Sequence, residues 1–230
     1  AGMAFAFHDG ERAVQARAGE SAVALRNASV ITDTVIAGAR PFIEKQAMTA
    51  VAARTADGLM WASLWFGAPG YLKSPAGRHI EVHSAAAQRD PSDPVWAQMQ
   101  EDARIGMLFI ELGSRRRYRV NGHVAALDAA QMQVAIDEAY PNCPKYIQRR
   151  HLRALGEIQP QPSARVSRAS ALNAEALALL GQADTLFIAS GAPAGSLDAS
   201  HRGGPPGFVQ ALGPTRLRVP DYGGNSLFNT

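Results

Sequence analysis

The sequence is poor in cysteine, in lysine and in long apolar runs, and each shortage narrows what the chain can be. Cys143 is the only cysteine among 230 residues. No intrachain disulfide can form, and nothing points to an oxidising compartment. No apolar run is long enough to cross a bilayer; the longest are strand-length. The opening residues Ala1 to His8 carry neither a basic n-region nor an apolar h-region, so no signal peptide is expected. Ala1-Gly2 ahead of Met3 resembles the scar of a cleaved tag. A cytoplasmic protein with no membrane partner is the expectation. His79 and His83 share no ligand spacing with a cysteine or carboxylate cluster, so no metal site is expected. No Ser-His or paired-carboxylate dyad is visible, and catalytic residues stay unassigned.

Lysine occurs only at Lys45, Lys73 and Lys145, so the positive side of a small net charge of +3 is almost entirely arginine. Arginine's planar fork suits phosphate and carboxylate; a high-GC genome accounts for the same bias equally well. Hydrophobic residues at 47% and charged residues at 19% describe an ordinary globular chain, long enough for one sizeable core or two small ones.

Periodicity divides the chain. His8 to Arg17 predicts a short amphipathic helix, and Pro41 opens another through Phe42, Ile43 and Ala47. The period then changes to two. Strands are expected at Met48–Arg54, Leu59–Phe66, Arg78–His83, Ile105–Leu112, Arg117–Ala125 and Gln131–Ala139, with a hairpin turn at Ala56-Asp57-Gly58 and a helix over Val95–Asp102. Short strands joined by turns predict a mainly β (α+β) fold, an antiparallel barrel or sandwich with peripheral helices. From Pro141 to Ser170 the texture shifts to Pro, Gln, Arg and Ser, a connector. A helix over Ala171–Leu180, ended by Gly181, and strands at Asp184–Ser190, Gly207–Leu212 and Thr215–Val219 follow.

The chain also resembles itself. Trp61-Ala-Ser-Leu-Trp-Phe-Gly-Ala-Pro-Gly-Tyr-Leu72 lies without a gap over Asp198-Ala-Ser-His-Arg-Gly-Gly-Pro-Pro-Gly-Phe-Val209, and each copy follows a helix, an apolar strand and a turn. Four parts are expected: an N-terminal helical extension over 1–37, a first barrel over 38–140, a linker over 141–170, and the start of a second barrel over 171–230. That second copy is expected to be incomplete, since no counterpart of Ile105–Ala125 follows it. Where the first copy carries Leu64-Trp65-Phe66, the second carries His201-Arg202-Gly203. One copy has apolar bulk, the other donors and room, as if one filled its pocket and the other kept a ligand.

Four runs carry a resemblance to a known family: Arg115-Arg-Arg-Tyr-Arg-Val-Asn-Gly122, Asn142-Cys-Pro-Lys-Tyr-Ile-Gln-Arg-Arg150, Asp198 to Phe208, and Pro220-Asp-Tyr-Gly-Gly-Asn-Ser-Leu-Phe-Asn-Thr230. They resemble the FMN-binding split-barrel proteins related to pyridoxamine 5′-phosphate oxidase, in two-barrel bacterial form. The resemblance implies FMN as cofactor, held in a groove between two barrels, a homodimer, and flavin-dependent oxidoreductase chemistry on an unknown small molecule. A carrier or sensor that binds flavin without turnover is the alternative.

FMN needs donors for a phosphate dianion and backbone close to its ring. Ser200, His201 and Arg202 project donors at a strand end, and an arginine–phosphate contact can be bidentate. Gly203 and Gly204 remove Cβ atoms where main chain must turn sharply or approach a ligand. Asn225, Ser226, Asn229 and Thr230 recur at near-helical spacing after Gly223-Gly224; they form either an anion site at a helix start or an N-cap with a solvated first turn. Arg117 and Arg119 share one strand face. They either lie near the flavin, as the resemblance suggests, or form a solvated arginine face with Tyr118 and Val120 toward the core. Cys143 is read as a packed linker residue. The basic clusters Arg115–Arg119 and Arg149-Arg150 are short and lack a stacking platform, so no nucleic-acid partner is expected.

Overall fold

The computed structural model describes residues 7, 9–18, 28–153, 165–193 and 195–223. Seven strands form one antiparallel sheet: β1 (Met48–Arg54), β2 (Met60–Phe66), β3 (Leu72–Lys73), β4 (His79–His83), β5 (Arg104–Glu111), β6 (Arg116–Leu127) and β7 (Gln131–Asn142). Their spatial order is β2-β1-β5-β6-β7-β4-β3. Alternation in the sequence decides which side chains go inside. Val51 and Ala53, Ile105, Met107 and Phe109, Tyr118 and Val120, Met132 and Val134 all enter one cluster, joined by Trp65, Leu72, Ile80 and Val82. Every strand contributes to that single core, so the sheet curls round itself. This is the mainly β, antiparallel barrel that the alternation predicts, of the split-barrel kind that the resemblance implies. Its two edge strands are tied where the Tyr71 hydroxyl donates to the Trp65 carbonyl at 3.1 Å.

Helices sit at the periphery. α1 (Asp9–Arg17) lies in the N-terminal extension, where Phe7 and Ile31 pack on Tyr140 of β7. α2 (Arg40–Glu44) has Pro41 in its first turn and inserts Phe42 and Ile43 into the core. α3 (Pro94–Ala97) is one turn, capped by the Asp93 carboxylate on the Val95 amide. The helix expected over Val95–Asp102 is therefore cut short: Gln98 already leaves it, and Asp102 sits at φ +65°. Among the described residues, no helix is long and apolar enough to span a membrane.

After residue 165 the chain adds α4 (Ala174–Gln182), β8 (Thr185–Gly191), β9 (Leu197–Gly203) and a small ribbon, β10 (Gln210–Ala211) with β11 (Leu217–Arg218). Three sequence expectations need correction here. Asn173, not Ala171, caps α4, and the helix runs through Gly181 to Gln182. The strands expected at Gly207–Leu212 and Thr215–Val219 shrink to two residues each. The segment Leu197–Gly203, for which no strand range was expected, is a full strand with Ser200, His201 and Arg202 inside it and not at its end.

The geometry of β8–β9 repeats that of β1–β2 with each partner displaced by 137 residues: Met48 pairs with Phe66, and Thr185 with Gly203. The ribbon keeps the same offset, with Lys73 opposite Glu81 and Gln210 opposite Arg218. Turn details follow too: the Gly67 amide donates to the Ala47 carbonyl and the Gly204 amide to the Asp184 carbonyl.

The β8–β9 hairpin lies across the outer face of the first sheet. Phe187, Ala189 and Ala199 cover Ala50, Ala52 and Leu108. The approach is backbone to backbone, since a Cβ at Gly106 would stand 2.5 Å from the Leu197 carbonyl oxygen. Both faces of β1 are buried for this reason.

Candidate functional site

A buried polar network fastens β9 to β6. Arg119 donates to Asp198 Oδ1 at 3.2 Å, to Ser200 Oγ at 2.8 Å and to the Tyr140 hydroxyl at 3.3 Å. Asn121 Nδ2 adds bonds to Asp198 at 2.7 Å and Glu138 at 3.1 Å. Burial opposes the charge on Arg119, but Tyr140 and Asp198 more than offset it, so the guanidinium stays charged. Of the two readings open for Arg117 and Arg119, the solvated face is thereby excluded for Arg119, which is 5% exposed. Strand alternation did place it outside the barrel core; β9 then covered that outer face.

Next to this network the two halves of the chain enclose a pocket. One wall comes from β6 and the segment after β7, with Arg117, Arg119, Asn142, Cys143, Lys145 and Tyr146. The other comes from β9 and the chain beyond it, with His201, Arg202, Gly203, Phe208, Asp221 and Tyr222. Its cavity volume is about 80 Å³, and it is partly open to solvent. That is smaller than the ~150 Å³ cavity that holds a benzene ring and leaves room for a phosphate or carboxylate group.

The electrostatics are one-sided. Burial, then Arg119 and Arg202, pull Arg117 down to about 10, and burial and Arg119 lower Arg202 against the opposing pull of Asp221. Burial, then Arg117 and Arg202, push His201 down to about 4, so its imidazole is neutral. His201 is 2% exposed, its ring lies edge-on to Phe187, and neither ring nitrogen has a hydrogen-bond partner. Among the described residues, six buried side-chain polar atoms lack a partner, and five belong to residues that line this pocket: Arg117 Nε, Arg119 Nε, Asn142 Oδ1 and both nitrogens of His201. Buried orphans are rare because each costs about 1–3 kcal/mol.

Local chain geometry shapes the rim. Arg117 Nη2 donates to the Cys143 carbonyl. Tyr146 is held at φ +62°, stacks on Tyr222 with ring centroids 4.9 Å apart, and donates its hydroxyl to the Gly223 carbonyl at 2.8 Å. Its own carbonyl occupies the space that a Cβ at Gly203 would need. In the first copy the position equivalent to Arg202 is Trp65, which stacks on Trp96 at 3.8 Å and donates to Asp93 at 3.0 Å. Apolar bulk fills that side.

Of the residues that the sequence singled out, Arg117, Arg119, His201, Arg202 and Gly203 meet in one pocket. Ser200 does not line it: its side chain is fully buried and accepts from Arg119. Gly204 turns under the Phe208 ring instead. Asn225, Ser226, Asn229 and Thr230 lie outside the described residues. Lys145, Tyr146 and Tyr222 lie in irregular segments that carry no period, and Asn142 ends β7; none was singled out, and their one signal was membership of the quoted runs. No cluster of three or more metal-ligating side chains occurs among the described residues.

Comparison with known proteins follows from this geometry only in outline. No family model matches the chain, and no curated protein does. Solved structures are similar to about half of it. They include an FMN-binding protein from Syntrophomonas wolfei at 10% identity, over 56% of this chain and 96% of that one, with a TM-score of 0.37. A candidate pyridoxamine 5′-phosphate oxidase from Lactobacillus delbrueckii aligns at 11% identity, over 47% and 95%, with a TM-score of 0.35. An F420 reductase aligns at 12% identity, over 44% and 91%, with a TM-score of 0.27.

Proposed function

We propose that this chain is an FMN-binding protein that grips the cofactor's phosphate in the pocket between its two halves. The orphaned donors among these atoms carry the reading: Arg117 Nε and the N–H of the His201 imidazole, buried without partners beside Arg202, are satisfied when an anion enters. Arg202 and Arg117 would supply charge-assisted bonds to phosphate oxygens, Lys145 a point charge at the rim, and His201 a further donor once protonated. The residues present fit the phosphate end. FMN bound there would supply hydride or single-electron chemistry; the chain's own part is to bind and orient it and to keep water from the phosphate. The active form is a homodimer, and the reaction is a flavin-dependent oxidation or reduction of a small molecule.

The same reading takes the chain as one split barrel over 38–140 behind an N-terminal extension over 1–37. A linker over 141–170 joins it to the opening elements of a second barrel over 171–230. The common offset of 137 residues in strands, ribbon and turns supports duplication.

Titration with FMN, followed by quenching of flavin fluorescence, tests the binding. Saturable binding that inorganic sulfate displaces and that Arg202→Ala weakens at least tenfold is expected; affinity untouched by sulfate and by Arg202→Ala refutes it. Consumption of NADH or NADPH by the loaded protein then separates an oxidoreductase from a flavin carrier or sensor.

A further inference from the structure

We propose that Cys143 is a modification site, where a small anionic disulfide docks in the cationic pocket and exchanges with the thiol. Cys143, expected from the sequence to be a packed linker residue, instead stands exposed in the pocket wall immediately after β7. Arg117 holds its carbonyl, which ties the backbone of Cys143 to β6. Arg117, Lys145 and Arg202 line the same space. The buried and unpartnered imidazole of His201, on the opposite wall, is an independent sign that a ligand group completes this pocket. Disulfide exchange proceeds through a thiolate, and the cations around Cys143 favour an approaching carboxylate. The fitting co-reactant is a low-molecular-weight disulfide that carries carboxylates, of the glutathione type.

The exchange balances. Cys143 gives its proton to solvent, and its sulfur attacks one sulfur of the disulfide. That S–S bond breaks as a new one to Cys143 forms, and the other half leaves as a thiolate that takes up a proton. Cys143 is oxidised and the departing half reduced. No second cysteine exists in the chain to resolve the adduct, so it persists until an external thiol removes it. While present it occupies the pocket and excludes any phosphorylated ligand, which makes the site a redox-controlled one.

The test is intact-mass kinetics of adduct formation with oxidised glutathione, neutral hydroxyethyl disulfide and cationic cystamine. Each rate is divided by that of a free cysteine amide under the same conditions, which removes the intrinsic reactivity of each disulfide. At low salt the normalised rate for oxidised glutathione is expected to exceed that for cystamine by at least about tenfold, the scale of electrostatic steering. The gap should collapse near 1 M salt, where the Debye length is about 3 Å. Lys145 is exposed, so Lys145→Glu leaves the fold intact and should narrow the gap; sulfate should slow the anionic reagent; Cys143→Ser should take no adduct. Equal or reversed normalised rates, or indifference to both sulfate and Lys145→Glu, overturn the proposal. It rests on the cationic pocket and not on flavin: a parallel FMN titration that fails while the anionic preference holds refutes only the cofactor reading.

Discussion

Replacing His201 by glutamine should reshape the pH dependence of stability in acid. The imidazole is buried beside two guanidinium groups and titrates near 4 in the native chain, against about 6.5 when unfolded. Between those values the unfolded chain holds a proton that the native one refuses. Stability therefore rises as pH increases from 4 to 6.5 and is lost as pH falls through that window. At 1.36 kcal/mol per pKa unit the ceiling is about 3 kcal/mol. Urea denaturation of both proteins at half-unit steps between pH 4 and 7.5 measures it, with the variant's curve subtracted from the wild type's so that other titrating groups cancel. The difference should climb with pH to about 6.5 and then stay level. An anion bound against His201 reverses the penalty, since it favours the imidazolium. Sulfate keeps its charge over this range, so its affinity should strengthen as pH falls toward 4, by at most about tenfold per unit, and the glutamine variant should lose that slope. Parallel stability curves for the two proteins, or sulfate binding with no His201-dependent slope, would refute the placement of a neutral, ligand-seeking imidazole in this pocket.

Glu138 titrates in the opposite sense. Burial raises it to about 7, so stability falls as pH rises from about 4.5 to 7, and Glu138→Gln should abolish a slope worth at most about 3 kcal/mol in the same denaturation series. Arg119→Met leaves Asp198 buried with its charge uncompensated and should cost about 3–5 kcal/mol in guanidinium titrations; the double variant Arg119→Met/Asp198→Leu should recover most of that loss. Gly106→Ala forces β5 and β9 apart against the Leu197 carbonyl and should cost about 1–3 kcal/mol, read as a lowered Tm; an unchanged Tm would mean that the hairpin does not lie on β5 as described.

The barrel was legible in the sequence because its strands obey a period of two over a one-sided core. Met132, Val134 and Ile136 announce β7, and Ala56-Asp57-Gly58 announces the first hairpin, where Gly58 takes φ +83°. β9 was not legible for a related reason. A strand covered on both faces by different chemistries, Ala199 on Leu108 and Asp198 with Ser200 on Arg119, shows no apolar alternation. Its polar residues and terminal glycine imitate a turn. The same event hid the role of Arg119: alternation places it on the barrel's outside, and only the arrival of β9 turns outside into interior. Composition could name Arg117, His201 and Arg202 as candidates, but the pocket that joins them exists only once the hairpin has docked. That dependence makes the site and the interface between the halves one structure. A substitution that loosens β9 from β6, such as Arg119→Met, should therefore weaken sulfate binding as well as stability, although Arg119 spends its charge on Asp198 and not on the ligand. If sulfate affinity survives that loss intact, the pocket does not depend on the docked hairpin, and the site must be built from the first barrel alone.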